Sequence, residues 1–181
     1  MIFFTADVHF GHANIIRLCG RPFRTVCEMN HALVDNWNKR VSGKDTVYIL
    51  GDLFYKCDPP VVLAILSALK GKKKLIIGNH DAFWLENCPQ AKGFFLSIDP
   101  FWSGSVGNHG MTLCHYPLVT YKHQQKDYQI HGHIHNDTSS DYWPLLKARP
   151  LTLNAGVDIN GFEPVTLEEL MVNNLKWKKT H

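Results

Sequence analysis

The chain has no CxxC pair and no even set of cysteines. Its five, Cys19, Cys27, Cys57, Cys88 and Cys114, stand apart in the sequence, which argues against a zinc ribbon or a disulfide framework and favours a reducing compartment. No apolar run approaches the ~18 residues needed to span a bilayer. Met1 to Ala6 leads straight into Asp7 without the basic n-region of a signal peptide, so a cytoplasmic protein with no membrane partner is expected. Charge of one sign is scarce as well: 19 Lys and Arg against 16 Asp and Glu give a formal net charge of +3. Such a balance permits an anionic substrate and allows, without requiring, nucleic acid. Internal repeats, low-complexity segments and linkers are missing too, so residues 1–181 are expected to form one domain. The hydrophobic content of 45% suffices for a substantial core.

What the chain does have is histidine at high local density. Ile130-His131-Gly132-His133-Ile134-His135-Asn136 places three imidazoles in five residues after a short apolar run. Neutral imidazole is a common ligand for mid-row divalent metals, and Gly132 is expected to supply a turn that aims neighbouring rings at one point.

The first half reads as three strand-then-helix units. Met1 to Ala6, Asp45 to Leu50 and Lys74 to Ile77 are short buried-strand runs. Helical spacing is expected after the first corner (His12 to Cys19), over Thr25 to Val41 through Val26, Met29, Leu33, Val34 and Trp37, and from Pro59 to Leu69. Lys70 to Lys74 reads as the charged end of that last helix, either solvated or touching phosphate. Each strand releases into polar residues: Asp7-Val8-His9, then Gly51-Asp52, then Gly78-Asn79-His80-Asp81. Alternating β and α elements imply a largely parallel sheet, with ligand sites beyond the carboxyl ends of its strands. Asp7 and His9, at i and i+2, would face the same way in an extended segment; Asp7 alone also reads as a turn residue or helix cap.

The second half reads as shorter strands, Gly93 to Ile98, Gly110 to Cys114, Lys126 to Ile130 and Pro150 to Asn154. They suggest a second sheet packed on the first. Two of them end on histidine, at His115 and at the His131 to His135 cluster. Asn136 to Lys147 reads as a surface loop, Thr166 to Trp177 as a final helix capped by Thr166, and Lys176 to Lys179 as a frayed basic end.

The corners Asp7 with His9, Asp52, Asn79 with His80, His115, and His133 with His135 together resemble the calcineurin-like metallophosphoesterase superfamily. Its pattern is D-x-H, G-D, G-N-H-D/E, a lone H and G-H-x-H. The resemblance implies an α/β fold, a two-sheet β-sandwich flanked by helices in four layers (α-β-β-α), with a binuclear metal site at one edge. By that resemblance Asp7, His9 and His135 hold one divalent ion, Asn79, His115 and His133 hold the other, and Asp52 bridges them. Manganese is the first choice of metal, with iron, zinc, nickel or cobalt as alternatives. Two carboxylates among seven ligands leave the ion pair about two positive charges for a bound hydroxide and a phosphate oxygen.

The activity so implied is hydrolysis of a phosphate ester by in-line attack of a metal-bridging hydroxide. His80 would protonate the leaving oxygen, and Asp81 would either orient His80 or cap a helix. His12, Arg17 and Arg21 are candidate clamps for substrate phosphate, although Arg21-Pro22 also reads as a loop lock. Phe54, Tyr55, Phe83, Trp84 and Tyr116 are candidates either for stacking a base or for the core, and His131 for support behind the ligands. Protein Ser/Thr phosphatases of the superfamily continue their second corner as G-D-x-x-D-R-G, whereas Asp52 is followed here by Leu53-Phe54-Tyr55-Lys56. That departure, with the short chain, favours a compact phosphoesterase of bacterial or phage type acting on a phosphodiester or nucleotide-like substrate. A phosphomonoesterase on a small metabolite and an inactive metal-binding scaffold are the alternatives, and no feature specifies an oligomeric state.

Overall fold

Strands β1 (Ile2–Thr5), β2 (Thr46–Ile49), β3 (Lys72–Ile76) and β4 (Phe95–Asp99) pair in that order as an all-parallel sheet. The computed structural model describes residues 1–181. Because side chains alternate along a strand, each of the first three strands serves two cores. Phe3, Val47, Ile49 and Leu75 enter the larger one, whereas Phe4, Tyr48, Leu50 and Ile76 enter a second core between two sheets.

The helices on the outer side are α1 (Ala13–Leu18), α2 (Val26–Arg40), α3 (Pro59–Ala68) and α4 (Asp81–Asn87). Helix α2 starts where Thr25 accepts a bond from the Glu28 amide at 3.1 Å. Its buried residues Met29, Leu33 and Trp37 recur every four positions and so share one face.

The second sheet contains β5 (Trp102–Val106), β6 (His109–Leu113), β7 (Tyr128–His131) and β8 (Thr152–Asn154). Its first pair is antiparallel and the other pairs are parallel. A parallel bridge between Ala6 and Gly156 joins the two sheets, so the carboxyl ends of β1, β2, β3, β6, β7 and β8 open on one edge. Helix α6 (Leu167–Thr180) begins with a Thr166–Glu169 capping box and sends Leu167 and Leu170 between the sheets. Its Asn174 amide accepts from Asn154 N at 2.8 Å and donates to Asn154 O at 3.0 Å. That pair of bonds covers the open edge of β8.

This two-sheet α/β sandwich with flanking helices is the expected architecture, with local corrections. The run from Gly93 to Ile98, expected in the second sheet, supplies β4 at the edge of the first, paired parallel with β3. Strand β3 begins two residues before the expected Lys74, so Lys72 and Lys73 lie in it instead of ending a helix. Lys73 is buried, its Nζ donating to Leu69 O and Gly71 O at 2.7 and 3.0 Å. The sequence pattern does not predict strand β5: Ser103, Gly104 and Ser105 are exposed on a sheet edge and lack the apolar signature of a strand. The expected loop over Asn136 to Lys147 contains helix α5 (Trp143–Lys147), whose Trp143 packs at 4.5 Å between ring centroids on Trp177. Helix α6 therefore continues to Thr180 where fraying was expected, and Lys178 Nζ donates to Arg149 O and Thr152 O at 2.7 and 2.6 Å. No helix is long and apolar enough to cross a membrane.

Candidate metal centre

Asp7, His9, Asp52, His133 and His135 all adopt left-handed backbone conformations, with φ between 50° and 73°. Non-glycine residues rarely do so, and clustered exceptions are a mark of functional corners. Asp7 and His9 thus converge through two left-handed turns and not, as expected, through extended backbone. Their amides donate to Gly51 O and Asp52 O at 3.1 and 3.0 Å, locking the corner after β1 to the corner after β2. The turn expected of Gly132 is likewise made by His133 and His135. Gly132 instead permits close approach: a Cβ there would lie 2.9 Å from Asp7 Oδ2 and 2.7 Å from the Ala6 Cβ. A Cβ on Gly78 would lie 2.3 Å from Asp52 Oδ1.

These corners bring the seven expected metal residues together. Asp52 Oδ2 is 3.5 Å from His9 Nε2 and 3.5 Å from His115 Nε2. On one side, Asp7, His9 and His135 each offer an atom within 4.8 Å of the others. On the other, Asn79 Oδ1 is 2.9 Å from His115 Nε2 and 3.1 Å from His133 Nδ1. The two sides differ in setting. Asp7 and His9 are buried, whereas Asn79 and His133 are exposed.

Orphaned buried atoms test whether metal fits. Asp7 Oδ2 and both ring nitrogens of His9 have no protein partner, although buried polar groups are normally paired. Burial, with the charges of His135 and Arg21, pushes the His9 pKa far down, and burial lowers that of His133. Both rings therefore stay neutral near pH 7, as metal ligation requires. The donor chemistry fits a divalent metal ion.

Burial also raises the Asp7 pKa from 3.8 to about 6, against the opposing pull of His135 and His115. A raised carboxyl pKa stabilises the metal-free fold fully below about pH 4, and that contribution disappears as pH rises through about 6. Asp7→Asn is therefore expected to stabilise the metal-free protein at pH 7.5 by ~3 kcal/mol. The gain should fade toward pH 4 in urea melts run with chelator; a destabilised variant at pH 7.5 would contradict the burial argument.

Three expectations change on the structure. Asp81 accepts from the amides of Gly78, Asp52 and Leu53 at 2.8, 2.9 and 3.0 Å and from Trp84 Nε1 at 2.8 Å. It is the first residue of α4 rather than its cap, and its carboxylate pins the Asp52 corner instead of orienting His80. Arg21 is not a phosphate clamp. Its side chain is fully buried, with Nε 2.8 Å from Asp158 Oδ1, Nη1 2.9 Å from Val8 O and Nη2 2.7 Å from Asp7 O. Phe54 and Trp84 belong to the core, which leaves Tyr55, Phe83 and Tyr116 as the accessible aromatics.

Arg21→Met should accordingly cost about 3–5 kcal/mol of stability, because it strands the buried Asp158 carboxylate. Chemical denaturation measures this; a clamp role would instead raise KM without loss of stability.

The remaining candidates are placed differently. His80 donates its amide to Asp52 Oδ1 at 2.9 Å, and its ring stands 5.4 Å from His9 and 5.0 Å from Tyr55 between centroids. His12 stacks on Tyr55 at 3.7 Å, and burial lowers its pKa to about 4. Arg17 is exposed in the last turn of α1. His131 is buried behind the ligands with Nδ1 2.8 Å from Gly132 O. Sequence reasoning missed Asp158. Its signal was available, since Ala155-Gly156-Val157-Asp158 follows a strand just as Gly51-Asp52 does.

The family model described as calcineurin-like phosphoesterase matches residues 1–173. The chain belongs to that family. Among its relatives is an uncharacterized protein of Methanocaldococcus jannaschii, 34% identical over 168 residues, covering 92% of this chain and 87% of the relative. The Gene 66 protein of Mycobacterium phage D29 is 26% identical, with 97% of each chain covered. A crystal structure of a protein of unknown function from Aquifex aeolicus superposes with a TM-score of 0.71 at 26% identity, covering 97% of this chain and 98% of that one. Calcineurin-like phosphoesterases act on phosphate esters with divalent metals, and the Asp and His cluster at the strand ends offers donor atoms close enough together to hold a metal ion.

Proposed function

We propose that this calcineurin-like phosphoesterase uses two divalent ions, manganese first among the candidates, to hydrolyse a phosphodiester or nucleotide-like substrate. The observation that carries the reading is the position of Asp52 Oδ2, equally distant at 3.5 Å from a ring nitrogen of each ligand group. A single carboxylate so placed suits a bridge. Asp7, His9 and His135 would hold the first ion, and Asn79, His115 and His133 the second. When bound, such a pair lowers the pKa of water and neutralises charge on phosphate.

The protein's own part is positional and protonic. Five left-handed residues aim the ligands, and Asp81 fixes the loop that carries Asp52 and His80. As water adds to phosphorus and the ester P–O bond breaks, His80 passes a ring proton to the departing oxygen. Tyr55 and Tyr116 border the site on separate sides, Tyr55 against His12 and His80 and Tyr116 with its ring 4.6 Å from His133. Both could contact a base or another flat group.

The preference for a diester rests on the clamps. With Arg21 committed to Asp158, few cationic side chains remain for a dianion, and a diester carries a single charge. With manganese, kcat/KM for bis-p-nitrophenyl phosphate should exceed that for p-nitrophenyl phosphate. A clear monoester preference would instead identify a small-metabolite phosphatase, and no turnover of either would leave a metal-binding scaffold.

A further inference from the structure

One buried ion pair reaches both left-handed corners of the first ligand group. Asp158 lies in the 3-10 turn Val157–Ile159 that follows β8, with its side chain 1% exposed. Its Oδ1 accepts from Arg21 Nε at 2.8 Å, and its Oδ2 is 3.2 Å from Arg21 Nη2 and 2.9 Å from His135 Nδ1. Arg21 in turn donates to the carbonyls of Asp7 and Val8. The chain from Asp7 to His9 and the ring of His135 are therefore held by the same two side chains.

The second ligand group has no equivalent. His115 sets its Nδ1 against the backbone carbonyl of Leu50 at 2.8 Å, and His133 turns its Nδ1 toward Asn79. A carboxylate behind a histidine fixes the ring's tautomer and direction and raises its basicity more than a neutral carbonyl does. With Nδ1 of His135 engaged by Asp158, Nε2 would serve the cluster; Cys19 lies within 4.8 Å of the same two side chains.

Resting on the two-metal reading above, we infer that Asp158, backed by Arg21, is a positioning residue that sets metal affinity at the Asp7, His9 and His135 group selectively. Loss of such a partner typically weakens metal binding about 10- to 100-fold.

The test isolates each group by titrating manganese alone into single-site backgrounds. In His133→Ala, which disables the second group, adding Asp158→Asn should weaken the remaining binding event about 10- to 100-fold. In His135→Ala, which disables the first, the same change should leave the remaining event within about twofold, because no direct contact links Asp158 to that group. Equal weakening in both backgrounds makes the role merely structural and overturns the inference, as does no weakening in either. If wild type itself binds no manganese, the two-metal reading fails first and the inference with it.

A second measurement avoids substitution at Asp158 altogether. In the zinc-loaded wild type, long-range 1H–15N NMR should find His135 protonated at Nδ1, with its Nε2 bound. The opposite tautomer overturns the inference even if Asp158→Asn does not fold.

Discussion

Replacing Asp52 with asparagine should lower kcat/KM at least about a thousandfold and weaken manganese binding at both positions. The reason is placement. Asp52 supplies the oxygen that lies 3.5 Å from His9 Nε2 and from His115 Nε2, so each ligand group loses the same anion. A bound ion acting on a phosphoryl oxygen is worth several kcal/mol of transition-state stabilisation, and about 4 kcal/mol is a thousandfold in rate. Asparagine retains an oxygen able to accept from the His80 amide, so the loop can remain in place while the charge is gone. Steady-state kinetics in manganese, together with calorimetric titration, would separate the outcomes. Loss at one metal alone would show that Asp52 is not shared.

His80→Ala should act on the chemical step and not on the metals. The His80 ring belongs to neither ligand group, and the corner it stands on is held independently by Asp81 through four bonds. General acid catalysis contributes about 100- to 10,000-fold, so kcat should fall within that range while manganese affinity stays unchanged. The size of the loss should depend on the leaving group. A nitrophenolate departs without much help, so its ester should show the smaller effect, whereas an alkyl or nucleoside ester should show the larger. An equal loss for both kinds of ester would contradict proton transfer by His80.

The corners that meet at the candidate site are readable because each combines a local strand signal with a polar residue type that has few other uses there. Gly51-Asp52 and Gly78-Asn79-His80 follow apolar runs, and a parallel sheet necessarily gathers such ends at one edge. Elements governed by long-range contacts were less readable. Arg21 looks like a phosphate ligand from its position, but Asp158, 137 residues later, takes its charge. Asp81 looks like a partner for its neighbour His80, but its oxygens face the amides of Gly78, Asp52 and Leu53.

Lys72 and Lys73 show the same limit in the fold. Their charge suggests a solvated helix end, yet β2 and β4 pair with the segment on both sides and tertiary pairing outweighs local propensity. Asn174 is the converse case. Nothing in α6 marks it as special until the open edge of β8 arrives beside it.

The most direct test of the central claim is anomalous scattering from crystals soaked in manganese. Two peaks are expected, one among Asp7, His9 and His135 and the other among Asn79, His115 and His133, with Asp52 touching both. A single peak, or peaks away from Asp52, would contradict the binuclear account.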